Sequence, residues 1–140
     1  MKWWPGECRM GDMIRINLGT VWHYGIFVSE DEIIQFGLPP VQEYKLPDSE
    51  VRVCVSNIDI FSCGKIVEVG TPEKSEKRKK NSPEKVVELA RARIGEGGYS
   101  LVHNNCEHFA NECYFGIHRS VLQEDAMNRW KAFLAKKGEK

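Results

Sequence analysis

The sequence carries no excess charge of either sign: twenty Lys and Arg stand against twenty Asp and Glu, a formal net charge of zero. No overall field would draw in nucleic acid or an anionic membrane, so no nucleic-acid partner is expected and a membrane would need a local patch. A long apolar run is also missing. The longest stretch without Asp, Glu, Lys or Arg, from Ile16 to Ser29, contains Asn17, Gly19, Thr20 and His23, too short and too polar to span a bilayer. The opening Met1-Lys2-Trp3-Trp4-Pro5-Gly6-Glu7 has no apolar segment of the secretory kind, and a cytoplasmic location is the expectation. Five cysteines (Cys8, Cys54, Cys63, Cys106, Cys113) make an odd count without a C-x-x-C pair. That argues against a disulfide framework and a structural zinc site, and predicts that most are buried free thiols.

What is present is the composition of one soluble domain. Its 140 residues are 41% hydrophobic, 10% aromatic and 29% charged, which excludes global disorder and suffices for a single core. We expect one domain over 1–140, with a core of about residues 5–116 and a C-terminal helix of about 123–136.

The first half reads as strands. Met13 to Asn17 follows the turn signal Gly11-Asp12, and Trp22 to Val28 is rich in aromatic and β-branched residues. Glu32 to Gly37 follows across a three-residue loop, Ser29 to Asp31, so these two runs should form an antiparallel hairpin. Leu38-Pro39-Pro40 ends it, since proline cannot donate to a ladder. Val51 to Val55 and Ile66 to Val69 complete a sheet of four to six antiparallel strands. Thr71 to Lys80 is charged throughout and reads as a mobile surface loop.

The second half reads as helices. Ser82-Pro83-Glu84 is a start signal with Ser82 as N-cap, and Val86, Val87, Leu89, Ala90 and Ile94 recur at helical spacing before Gly95. A second helix should open at Asn104-Asn105, carry Cys106, Phe109, Ala110 and Cys113 on one face and end near Gly116. A third, from about Gln123 to Lys136, has Ala126, Trp130 and Phe133 as its stripe. The fold class is thus α+β, an antiparallel sheet packed with about three helices.

Asn104-Asn105-Cys106-Glu107-His108-Phe109 is the segment with chemical content. A cysteine in the first helical turn meets unpaired backbone N–H groups and the positive end of the macrodipole, both of which favour thiolate. Its base must come from elsewhere, because two helical residues turn a side chain by roughly 200°, which points His108 away from Cys106. His23 is the better candidate, on one strand face with Gly25 and Phe27 while Trp22, Tyr24 and Ile26 take the other. If Val28 pairs with Glu32, Gly25 falls opposite Gln35 and His23 lies diagonal to Gln35, about 7–8 Å between backbones and within reach of a glutamine side chain. Gly25 would leave the space between them open. Cys106, His23 and Gln35 thus form a candidate catalytic triad. Taken singly, each has a plainer reading: an inert buried thiol, a satisfied structural histidine and a polar edge residue.

The blocks Gly11-Asp12-Met13-Ile14, His23-Tyr24-Gly25-Ile26-Phe27-Val28 and Asn105-Cys106-Glu107-His108-Phe109-Ala110-Asn111 resemble the signature of the lecithin:retinol acyltransferase-like family, over roughly Pro5 to Gly116. The resemblance implies a circularly permuted relative of the papain-like, NlpC-type fold, with Cys106 as nucleophile and His23 as base. Members with lipid activity usually carry a second histidine where this chain has Gln35. The charged Lys136-Lys137-Gly138-Glu139-Lys140 stands where mammalian lipid enzymes commonly have a hydrophobic anchor.

The function expected is a cysteine acyltransferase or hydrolase working through a thioester, on a lipid acyl ester such as a phospholipid, with neither metal nor organic cofactor. A papain-like amidase or peptidase acting on a polar peptide and a non-catalytic interaction domain are the alternatives. A monomer is expected. Trp3, Trp4 and the third helix, with Trp130 beside Lys131, Lys136 and Lys137, offer a surface for peripheral membrane contact, although the favoured reading is that Trp130 and Phe133 pack on the domain and the lysines are solvated.

Overall fold

A computed structural model describes residues 1–39, 47–100 and 105–116. The third helix expected at about 123–136, with Trp130, lies outside the described residues. Six strands, β1 (Lys2–Pro5), β2 (Asp12–Asn17), β3 (Trp22–Ser29), β4 (Glu32–Phe36), β5 (Val53–Ser56) and β6 (Glu68–Thr71), form one sheet in the order β1-β6-β2-β3-β4-β5. Every recorded pairing is antiparallel. Four helices accompany it among the described residues: α1 (Ile58–Ser62), α2 (Lys74–Lys77), α3 (Pro83–Ala92) and α4 (Cys106–Phe115). The fold is α+β, as expected.

Alternation along the central strands divides the core between the two faces of the sheet. Met13, Tyr24, Ile26, Ile34 and Phe36 face α3 and α4, where they meet Val86, Ala90, Phe109, Ala110 and Cys113. Ile14, Ile16, Phe27 and Ile33 point the other way and close over Phe61 of α1. Helix α3 begins as its sequence dictates, with the Ser82 hydroxyl accepting from Lys85 N–H and Pro83 in the first turn. Its start presses on the entry to β2. A side chain at Gly11 (φ +88°) would lie 2.6 Å from the Pro83 Cα, so glycine is required there for close approach as well as for conformation.

Several expectations are corrected. The hairpin turn is one residue tighter, because Ser29 pairs with Glu32, and an irregularity between Phe27 and Ser29 then restores Phe27 opposite Ile33 and Ile26 opposite Ile34. That bulge returns the strands to the register expected near Gly25 and Gln35. The charged segment after Thr71 is not simply a loop: Glu73 and Glu76 form a reciprocal capping box around α2, and the Met1 amino group lies 2.5 Å from Glu76. Local capping thus gives structure to a segment with no hydrophobic period. Ile94 lies beyond α3 and is exposed. Strand β1 and helix α1 were not anticipated. Only Cys106 and Cys113 are buried thiols; Cys8 and Cys54 are partly buried and Cys63 is exposed.

The space over Gly25 is not open either. A Cβ there would lie 2.8 Å from the Phe61 ring and 3.3 Å from the Ile33 side chain. Phe61 is fully buried, so the ring has nowhere to retreat. Gly25→Ala should therefore destabilise the fold by about 1–3 kcal/mol through overpacking, read as a lower urea midpoint with an unchanged m-value.

Candidate active site

His23 near the start of β3 is 3% exposed and Gln35 in β4 is fully buried, so both must find polar partners inside the protein. They find each other: His23 Nε2 lies 2.6 Å from Gln35 Oε1. The diagonal deduced from the sequence is thus the one the sheet makes. The Gln35 amide nitrogen in turn donates to Ser56 Oγ at the end of β5, and Ser56 Oγ donates onward to the Asn57 carbonyl at 3.4 Å. Phe61 covers the imidazole, its ring centroid 5.3 Å away. Burial under this aromatic lid holds the His23 pKa down to about 4, against a smaller upward pull from Gln35. The ring is neutral at physiological pH.

Cys106 opens α4. Asn105 caps the helix by accepting from His108 N–H at 3.0 Å, and His108 Nδ1 accepts from Asn105 N–H at 3.1 Å. His108 is therefore a buried capping residue turned away from the thiol, as its spacing implied. The Cys106 sulfur lies 4.0 Å from the Trp22 carbonyl oxygen. The backbone N–H groups of Tyr24, Glu107 and Cys106 itself favour its thiolate. Burial outweighs them and raises the thiol pKa to about 11. The helix N-terminus favours thiolate, as its geometry predicts, but loses to desolvation here.

His23 and Gln35 are thus joined, and the sulfur rests on the backbone either side of His23. Among the described residues no hydrogen bond links thiol to imidazole. Sequence reasoning missed Ser56 and Phe61, whose only signal was a polar residue ending an apolar strand and a phenylalanine behind the Asn57 cap. It also missed the polar network beside the sulfur. The Tyr24 hydroxyl meets Glu107 and Arg15, while Arg15 pairs with Glu68 at 2.9 Å and lies between the Trp3 and Trp22 rings, 4.3 and 3.7 Å from their centroids. Among the described residues no group of three His, Cys, Asp or Glu is arranged to hold a metal ion, and no helix is long and apolar enough to cross a membrane.

The depressed histidine makes a pH prediction. Unfolded His23 titrates near 6.5 and folded His23 near 4, so between those values the unfolded chain binds the extra proton. Its contribution to stability, about 3 kcal/mol at most, is complete above pH 6.5 and lost as pH falls towards 4. Urea midpoints from pH 7.5 to 4.5 should fall more steeply in the wild type than in His23→Gln.

Comparison with known proteins spans the segments that carry these residues. The lecithin retinol acyltransferase family model matches residues 6–119. The rat (Rattus norvegicus) lecithin retinol acyltransferase is 24% identical over 125 residues, covering 76% of this chain and 54% of the relative. The mouse (Mus musculus) protein of that name is 25% identical over 133 residues, covering 81% and 57%. Mouse phospholipase A and acyltransferase 3 is 26% identical over 129 residues, covering 86% and 79%. The chain thus spans little more than half the length of the lecithin retinol acyltransferases it matches. With the family model covering most of its length, the chain belongs to the lecithin retinol acyltransferase family.

Proposed function

We propose that the protein is a thiol acyltransferase or hydrolase that takes an acyl group from a lipid ester, most naturally a phospholipid, through a Cys106 thioester. The observation that carries this reading is the seating of the Cys106 sulfur on the backbone that flanks His23, while Gln35 orients that histidine and burial keeps it neutral. A neutral imidazole beside a neutral thiol is a general-base arrangement. As the sulfur attacks the acyl carbonyl, its proton passes to His23 and the carbon–sulfur bond forms. The tetrahedral oxyanion is met by backbone N–H groups at the start of α4, including that of Cys106. The intermediate collapses with loss of the alcohol, which takes the proton back from the imidazolium. Water, an amine or an alcohol then attacks the thioester, His23 accepting its proton; the carbon–sulfur bond breaks, the acylated acceptor leaves and the Cys106 sulfur takes the proton back from the imidazolium. The two reactive groups close their remaining separation when substrate is seated, as catalytic contacts commonly tighten in the complex. No step requires a metal or an organic cofactor.

Choice of a lipid rests on the family and on the surface. Val21, Trp22 and Leu38 are exposed where β3 begins and β4 ends, the same end of the sheet at which Cys106 sits. Trp4 is exposed as well, while Trp3 packs edge-on against Tyr24 with centroids 5.8 Å apart. These exposed apolar groups suit contact with a membrane surface.

Intact-mass spectrometry after incubation with phosphatidylcholine vesicles tests this reading. A single acyl adduct should form, vanish in Cys106→Ala, and form about 10²–10⁴-fold more slowly in His23→Ala. An adduct from cell-wall-type peptides but none from phosphatidylcholine would assign the site to an amidase instead. No adduct from either would remove the catalytic reading.

A further inference from the structure

We propose that Ser56 is a positioning residue: by fixing which way the Gln35 amide faces, it sets the tautomer of His23 and leaves Nδ1 as the ring nitrogen that can take a proton. This inference rests on the reading of His23 as the base, and it concerns how that base is prepared.

Donors and acceptors run along one line from Asn57 through Ser56 and Gln35 to His23. An amide presents two donors on nitrogen and only acceptors on oxygen, and the two ends of Gln35 have different neighbours. At one end stands Ser56 Oγ, which spends its single proton on the Asn57 carbonyl and can only accept from Gln35. The Gln35 Nε2 must therefore face Ser56, and Oε1 must face the imidazole. An oxygen without a proton can only accept, so the 2.6 Å contact requires His23 to carry its hydrogen on Nε2. A neutral imidazole has one such hydrogen, hence Nδ1 holds a lone pair. If the amide were reversed, its N–H would face Nε2, the proton would move to Nδ1 and the ring could not accept from a thiol through that atom. Burial of His23 and Gln35 denies water the chance to substitute for any of these partners.

During acyl transfer the chain stays balanced. The thiol proton goes to Nδ1, the imidazolium then carries hydrogen on both nitrogens, and Oε1 continues to accept from Nε2. When Nδ1 returns its proton to the leaving group, the original tautomer is recovered and Ser56 and Gln35 have moved no proton at all.

The test reads the tautomer directly, by long-range ¹H–¹⁵N correlation of the full chain labelled with ¹⁵N-histidine at pH 7.5, the His23 signals being identified by their loss in His23→Ala. Wild type should show the hydrogen on Nε2. Ser56→Ala should move the tautomer ratio about fivefold towards Nδ1–H, the equivalent of one ordinary hydrogen bond. Ser56→Thr, which keeps the hydroxyl, should return it to the wild-type value. Ser56→Cys, a weaker acceptor, should shift it in the same direction as alanine and serves if the alanine variant does not fold. Hydrogen on Nδ1 in the wild type, or an unchanged ratio in folded Ser56→Ala and Ser56→Cys, overturns the proposal. Acyl-adduct rates separate the two readings. A tautomer shift in Ser56→Ala together with an unchanged adduct rate in His23→Ala keeps the role of Ser56 and removes His23 as base. A slower rate without a shift keeps the base and removes Ser56 as its orienting group.

Discussion

Two large polar side chains sit in the middle of an otherwise apolar sheet, and the arrangement is stable only because they face one another across a single strand gap. A buried amide and imidazole without partners would each cost free energy comparable to a lost hydrogen bond or more. Their pairing therefore works as a constraint on register. A slip of one residue between β3 and β4 would turn Gln35 to the helix face, beside Tyr24 and Phe36, and leave His23 under Phe61 with nothing to bond. The flanking pairs Ile26 with Ile34 and Phe27 with Ile33 enforce the same register with apolar surface. Polar and apolar demands thus coincide, which is the mark of a sequence that specifies one arrangement.

Electrostatically the site is arranged for neutrality. Burial opposes charge on both partners, lowering the histidine and raising the thiol, so the resting state is imidazole and thiol. The N–H groups around the sulfur do not overcome burial in the resting protein, yet they remain aimed at the place where negative charge would develop. Glu107, one residue after the nucleophile candidate, raises the thiol further, and the Tyr24 hydroxyl and Arg15 engage the network of which Glu107 is part.

Much of this was legible in the sequence because it was encoded by short-range rules. The alternation in His23-Tyr24-Gly25-Ile26-Phe27 assigned the faces correctly, and the Ser82 and Asn105 caps located two helix starts. The register around Gln35 followed from hairpin length, although for a reason the sequence did not disclose: a tighter turn and a bulge that compensates it. What escaped notice depended on contacts distant in sequence or on elements too short to have a period. Helix α1 has only five residues, and its importance lies in Phe61 reaching back over Gly25. Ser56 is one polar residue at a strand end, and nothing local says that an amide 21 positions away needs it. The balance between helix N-terminus and burial at Cys106 is likewise a question of three-dimensional depth, on which one-dimensional spacing is silent.

The irregularity between Phe27 and Ser29 has an evolutionary corollary. Because the extra residue is taken up within β3, the pairing of Phe27 with Ile33 and Ile26 with Ile34 is kept behind a two-residue tip. The Glu30 carbonyl of that tip accepts from Ile58 N–H at 2.8 Å, so the turn is tied to the segment that carries Ser56 and Asn57. Descendants of this sequence that lengthen or shorten the tip must therefore keep that tie, or the serine end of the polar line shifts with the loop.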